Sequence, residues 1–133
     1  MKKGFKDNIE KLTRDNTDFR HVLYTGEHSQ LVLMSLKAGE EIGLETHQDN
    51  DQFFRFESGQ GKVVINETTY EVADGDAVVI PAGAKHNVVN ISQTEPLKLY
   101  TIYSPAHHQD GVVRATKTEA EASSPDFEGL TTE

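Results

Sequence analysis

A chain of 133 residues has the length of one domain, and its 22 acidic against 13 basic side chains give a formal charge of −9. That balance repels phosphate backbones, no apolar run approaches the ~20 residues of a membrane span, and Met1-Lys2-Lys3-Gly4-Phe5-Lys6-Asp7 lacks the apolar stretch of a secretion signal. Nucleic acid and membrane are therefore not expected as partners, the cytoplasm is the expected location, and with no cysteine any metal must be held by imidazole, carboxylate, amide or water.

Residues 1–18 form an N-terminal segment in which Asp7 and Glu10 make a weak capping box for a short helix carrying Ile9 and Leu12. From residue 19 to 106, β-branched and apolar residues come in short runs stopped by glycine, proline, aspartate or asparagine, a distribution that favours strands. Nine runs are expected: Phe19–Tyr24, Gln30–Leu36, Ile42–His47, Gln52–Glu57, Lys62–Asn66, Thr69–Val72, Ala77–Ile80, Asn87–Ser92 and Leu97–Ser104. Turns roughly every ten residues make this an all-β sandwich or barrel. Gly59-Gln60-Gly61 reads as a tight hairpin, Asp74-Gly75-Asp76 as a second turn and Pro81-Ala82-Gly83 as a bend. Residues 107–133 form an acidic C-terminal extension, expected to be loop or a short helix around Thr118–Ala122 pinned by Phe127, and partly disordered.

Two spaced patterns carry the chemistry. The first runs Gly39, Glu45, His47, Gln52, Gly59, and the second Gly75, Pro81, Gly83, His86, Asn90. Alternate side chains of a strand share a face, so Glu45 and His47 point the same way, while Gln52 and His86 can converge on them from two further strands. With these patterns the sequence resembles a single-domain cupin of the small β-barrel type, whose motifs are G-x5-H-x-H-x(3,4)-E-x6-G and G-x5-P-x-G-x2-H-x3-N. The match covers Gly39 to Asn90, complete in the second motif and complete in spacing in the first.

The resemblance implies a jelly-roll, or double-stranded β-helix, and a divalent metal held by Glu45, His47, Gln52 and His86. Two positions depart from the family: glutamate stands at the first histidine slot (Glu45) and glutamine at the glutamate slot (Gln52). The ligand set keeps one negative charge, and its two nitrogens and two oxygens suit Zn, Mn, Fe or Ni and disfavour Cu(I). A carboxylate beside two inward imidazoles would otherwise be desolvated without a fixed countercharge.

Phe54 and Phe56 share the face of Gln52 and are assigned to a substrate pocket, with Tyr100 as the hydrogen-bond donor of the pair Tyr100 and Tyr103 that reaches the cavity. Phe53 points outward, where it can serve a homodimer contact as cupin sheets commonly do or, equally, an ordinary sheet-sheet contact, and alternation keeps Arg55 outside the site. His107, His108 and Asp110 follow a proline and read as a solvated loop, the alternative being a lid or proton carrier over the barrel mouth; His21 and His28 carry no role.

The expected activity is Lewis-acid chemistry on a small oxygenated metabolite, with a distant likeness to phosphomannose isomerases, whose zinc site also combines Gln, two His and Glu. Alternatives are a metal-dependent dioxygenase and a cupin that binds a ligand or metal without turnover.

Overall fold

The computed structural model describes residues 1–133. In chain order the elements are α1 (Ile9–Asp15), β1 (Arg20–Thr25), β2 (Gln30–Leu36), β3 (Glu45–Thr46), β4 (Asp51–Ser58), β5 (Gln60–Ile65), β6 (Thr68–Ala73), β7 (Ala77–Ile80), β8 (Lys85–Asn90), β9 (Leu97–Ser104), β10 (Val113–Arg114) and α2 (Lys117–Ala122). The strands form a six-stranded sheet, β10-β1-β2-β9-β4-β7, and a four-stranded sheet, β3-β8-β5-β6, with every pairing antiparallel. The core lies between them: Val22, Val32, Met34, Leu36, Phe54, Phe56, Leu97 and Leu99 from the larger sheet meet Val63, Val72 and Val88 from the smaller. Period-two alternation produces this, since one parity of each strand carries the apolar side chains.

The run expected at Ile42–His47 shrinks to the two residues of β3, because Gly43 takes a left-handed φ of 111° and breaks the extended chain. Its flanks stay anchored to β8: the Ile42 amide donates to the Val88 carbonyl, and the Gly43 amide to Asn87 Oδ1.

The expected hairpin at Gly59-Gln60-Gly61 is a different structure. β4 pairs with β7 and β9 while β5 pairs with β6 and β8, so the chain crosses there from one sheet to the other. Gly59 has φ 96°, and a Cβ at this position would lie 2.4 Å from the Pro96 carbonyl oxygen. The glycine serves a close backbone approach at a sheet corner rather than a two-residue turn. Pro81-Ala82-Gly83 is the bend expected, crossing from β7 to β8, and its Gly83 amide donates to the His47 carbonyl at 2.9 Å.

Asn90, the last fixed position of the second pattern, is a fully buried clamp. Its amide group donates to the carbonyls of Leu36, Lys37 and Glu95, and its Oδ1 accepts from the Ser92 amide. Four bonds on one buried side chain hold two loops to the end of β8.

Helix α1 is capped by Asn8, one residue later than the Asp7 cap expected, with Asn8 Oδ1 accepting from the Lys11 amide. The helix packs on the outer face of β2, β4 and β9, where buried Lys98 donates to the Asn16 carbonyl. The C-terminal extension, expected as loop or a short helix around Thr118–Ala122, is tied to the body. It adds β10 to the edge of β1, forms α2 with Thr116 as its cap, and returns so that the Thr132 amide donates to the Thr25 carbonyl and Glu133 accepts from Tyr24. Those partners lie about a hundred residues upstream, out of reach of local sequence reasoning.

Candidate metal centre

The small β3 strand pairs with β8 so that Glu45 stands directly opposite His86. His47 follows on the same face as Glu45, held through its own carbonyl by Gly83. One ligating atom from each of Glu45, His47 and His86 can be chosen so that all lie within 4.8 Å of one another. From the opposing sheet Gln52 turns inward, 2% exposed.

Hydrogen bonding decides which atoms are available. His86 Nδ1 lies 3.0 Å from the Ala84 carbonyl, and since a carbonyl only accepts, the proton sits on Nδ1. His86 Nε2 is then left buried without a partner. Gln52 Nε2 donates to Thr101 Oγ1 at 3.0 Å, leaving Gln52 Oε1 as a second buried atom without a partner. An unpartnered buried acceptor costs about 1–3 kcal/mol. His86 Nε2, in a compact group with the Glu45 carboxylate and the His47 imidazole, fits a cation, Gln52 Oε1 offers a further inward acceptor from the opposing sheet, and a backbone bond orienting the far nitrogen is the usual companion of a ligating histidine. Glu45 Oε2 and His47 Nε2 are in contact at 3.1 Å. Burial opposes ionisation of Glu45, yet the hydrogen bond and charge of His47, with Arg20 and His86 behind, hold its carboxyl below the usual range.

The pocket expectations divide. Phe54 and Phe56 do face inward, but they are 1% and 0% exposed, belong to the hydrophobic core, and line neither cavity at the mouth. Phe54 is the apolar floor beneath His86, with ring centroids 6.5 Å apart. Tyr100 is on the outer face of β9, 6.3 Å from Phe53, and does not reach the site. Its parity with charged Lys98 already indicated this. Tyr103 is the inward tyrosine, edge-on to His47 at 5.7 Å.

His107 and His108 are not a solvated loop. Buried Gln30 takes hold of their backbone: its Oε1 accepts from both amides, and its Nε2 donates to the His108 carbonyl. The His107 ring is thereby set 4.3 Å from that of His47. The turn is closed from outside by the Phe127 amide, which donates to the His107 carbonyl. Asp110 lies apart, accepting from the Thr132 hydroxyl. Burial keeps the His107 imidazole below its ordinary pKa, with His47 adding to the effect.

Burial, assisted by the charges of Arg20, His107 and His47, pushes His108 down to about 2, and its Nε2 is hydrogen-bonded with the Tyr103 hydroxyl at 3.2 Å. An unfolded histidine takes up a proton below pH ~6.5 whereas folded His108 does not, so the unfolded state binds more protons as pH falls from that value. This contribution to stability is complete above pH ~6.5 and should shrink by about 2 kcal/mol at pH 5. Urea titrations at pH 7 and pH 5 should show a smaller acid loss for His108→Gln than for the wild type; equal losses would mean that His108 protonates freely in the fold.

Two cavities open at this end of the barrel. One, of about 320 Å³, is lined by His47, Asn50, His107, Asp126 and Phe127 among others. The other, of about 280 Å³, is lined by Phe19, Arg20, Ile42, Glu45, Lys117, Ala120, Glu121 and Ser124. Arg20, from β1, had no signal in either spaced pattern.

Comparison with known proteins agrees with this architecture. The family model described as Cupin domain matches residues 32–103. Uncharacterized protein YrkC of Bacillus subtilis is 46% identical over 127 residues, spanning 91% of this chain and 68% of that protein. Uncharacterized protein L612 of Acanthamoeba polyphaga mimivirus is 42% identical over 119 residues, covering 87% and 74%. The crystal structure of BH2720 from Bacillus halodurans superposes with a TM-score of 0.89 at 46% identity, covering 91% of this chain and 96% of that one.

Proposed function

The chain belongs to the cupin family, and from that premise we propose that it is a divalent-metal enzyme acting on a small oxygenated metabolite, with Glu45, His47, Gln52 and His86 as ligands. The observation that carries this reading is the buried, unpartnered Nε2 of His86 in one compact group with Glu45 and His47, with Gln52 Oε1 likewise buried and unpartnered on the opposing sheet. Bound there, a zinc, manganese, iron or nickel ion supplies Lewis acidity, polarising a carbonyl or hydroxyl oxygen.

The rest is the work of the chain. Phe54 and the core behind it keep water from the floor of the site. The backbone bond to Ala84 holds His86 in the tautomer that presents Nε2. His107, standing beside His47 and lining the adjoining cavity, is the proton carrier for a shift between neighbouring carbons.

A second reading has its own support: two histidines and one carboxylate make up the compact group, the set that oxygen-activating iron sites use. Elemental analysis of protein purified without an affinity tag tests both. About one equivalent of zinc or manganese, together with metal-dependent deuterium exchange from D2O into hydroxy-carbonyl compounds, supports the first. Iron with oxygen uptake supports the second. Protein that takes up no divalent metal would overturn both and leave a ligand-binding cupin.

A further inference from the structure

We propose that Arg20 is the anion anchor of this site, and that the molecule bound there is a small carboxylate, of the hydroxy-acid or keto-acid class. The inference rests on the metal reading above and narrows its substrate.

Arg20 is 6% exposed, and its guanidinium makes one hydrogen bond in the fold, from Nη1 to Ser124 Oγ at 3.1 Å. Its Nε is buried without a partner. None of the ion pairs in the protein includes it. A guanidinium cannot shed its charge, and although Glu45 and Glu121 line the same cavity neither forms an ion pair with it, Glu45 being a ligand on the metal reading and Glu121 being paired with Lys117, so an arriving anion has this buried cation to meet.

The setting identifies the anion. Arg20 shares the inward parity of Val22, which directs it to the interior of the barrel, and it lines the 280 Å³ cavity together with Glu45. A molecule in that cavity therefore has the guanidinium on one side and a metal ligand on the other. The second cation there, Lys117, is already 3.8 Å from Glu121. A divalent ion more than offsets the charge of Glu45, leaving a net positive mouth. One planar guanidinium fork matches one planar carboxylate in bidentate fashion. A phosphate dianion would want more donors than remain and would face Glu121. With its carboxylate on Arg20, an adjacent hydroxyl or carbonyl oxygen is turned toward the Glu45 side of the cavity.

The test is calorimetric titration of the zinc-loaded full chain with glycolate, lactate, pyruvate and oxalate, each against its neutral amide, with Arg20 Nε–H followed by NMR. At least one acid should bind about tenfold or more tightly than its amide and shift the Nε–H resonance. A carboxylate also prefers the metal itself, so Arg20→Gln must lower the acid-to-amide ratio about tenfold while zinc content stays at one equivalent, with Arg20→Lys intermediate. Unchanged preference in Arg20→Gln, an unmoved Nε–H resonance, or no acid bound by the wild type would each overturn the proposal. The resonance is read on the wild type, so the test survives a variant that fails to fold. Should the wild type take up no zinc, it is the metal reading that fails, and the same titrations on metal-free protein decide the role of Arg20 separately.

Discussion

His86→Ala should reduce the metal content of the purified protein from about one equivalent to a small fraction of one, with the circular dichroism of the fold unchanged. The imidazole contributes an inward Nε2 that nothing else in the protein engages, and its orientation is fixed from behind by the Ala84 carbonyl. Its loss removes one of two nitrogen donors and leaves Glu45, His47 and Gln52, a weaker and more open set. Because outer partners alone are worth 10- to 100-fold in metal affinity, deletion of the ligand itself should cost more than ~100-fold. The backbone of residue 86 remains paired with Glu45 and Ile65, so the sheet has no reason to fail. Plasma mass spectrometry after dialysis reads the result. A variant that keeps a full equivalent would show that the metal is held elsewhere.

Gly59→Ala should destabilise the fold by about 2–5 kcal/mol, combining a non-glycine residue at left-handed φ with a steric overlap. The new methyl would sit 2.4 Å from Pro96 O and 3.0 Å from Leu97 Cα, both backbone atoms that cannot step aside without moving the start of β9. β9 is the central strand that pairs β2 and β4 and carries Thr101 and Tyr103 to the site, so the damage would reach the candidate metal site as well as the core. Against the 5–15 kcal/mol that keeps an ordinary domain folded, this is a large fraction. Denaturant titration gives the change directly. By contrast Gly75→Ala, where a Cβ meets nothing within 4 Å, should lose only the strain of its φ of 92°.

The strands were largely legible because burial between two sheets imposes a period of two on the sequence: Gln30–Leu36, Ala77–Ile80 and Leu97–Ser104 fall where the alternation places them. The three-way meeting of Glu45, His47 and His86 was legible for the same reason, through strand parity and the fixed spacing of the two patterns. Pairing partners were not. Gly59 carries the composition of a hairpin, and only the packing of Pro96 above it distinguishes a sheet crossing from a turn. Tyr100 was assigned by aromatic character against its parity with Lys98, and the assignment fell on the wrong face.

The sequence by itself determined the alternation, the corner residues and which donor side chains share a face, all properties of neighbours along the chain. Tertiary structure alone decided that Gln30 would draw His107 and His108 over the mouth from 78 residues away, and that Arg20 would be buried without an ion pair in a cavity it shares with Glu45. Those outcomes depend on which surfaces meet after the sheets close, and desolvation acts on a side chain only through the neighbours that folding gives it.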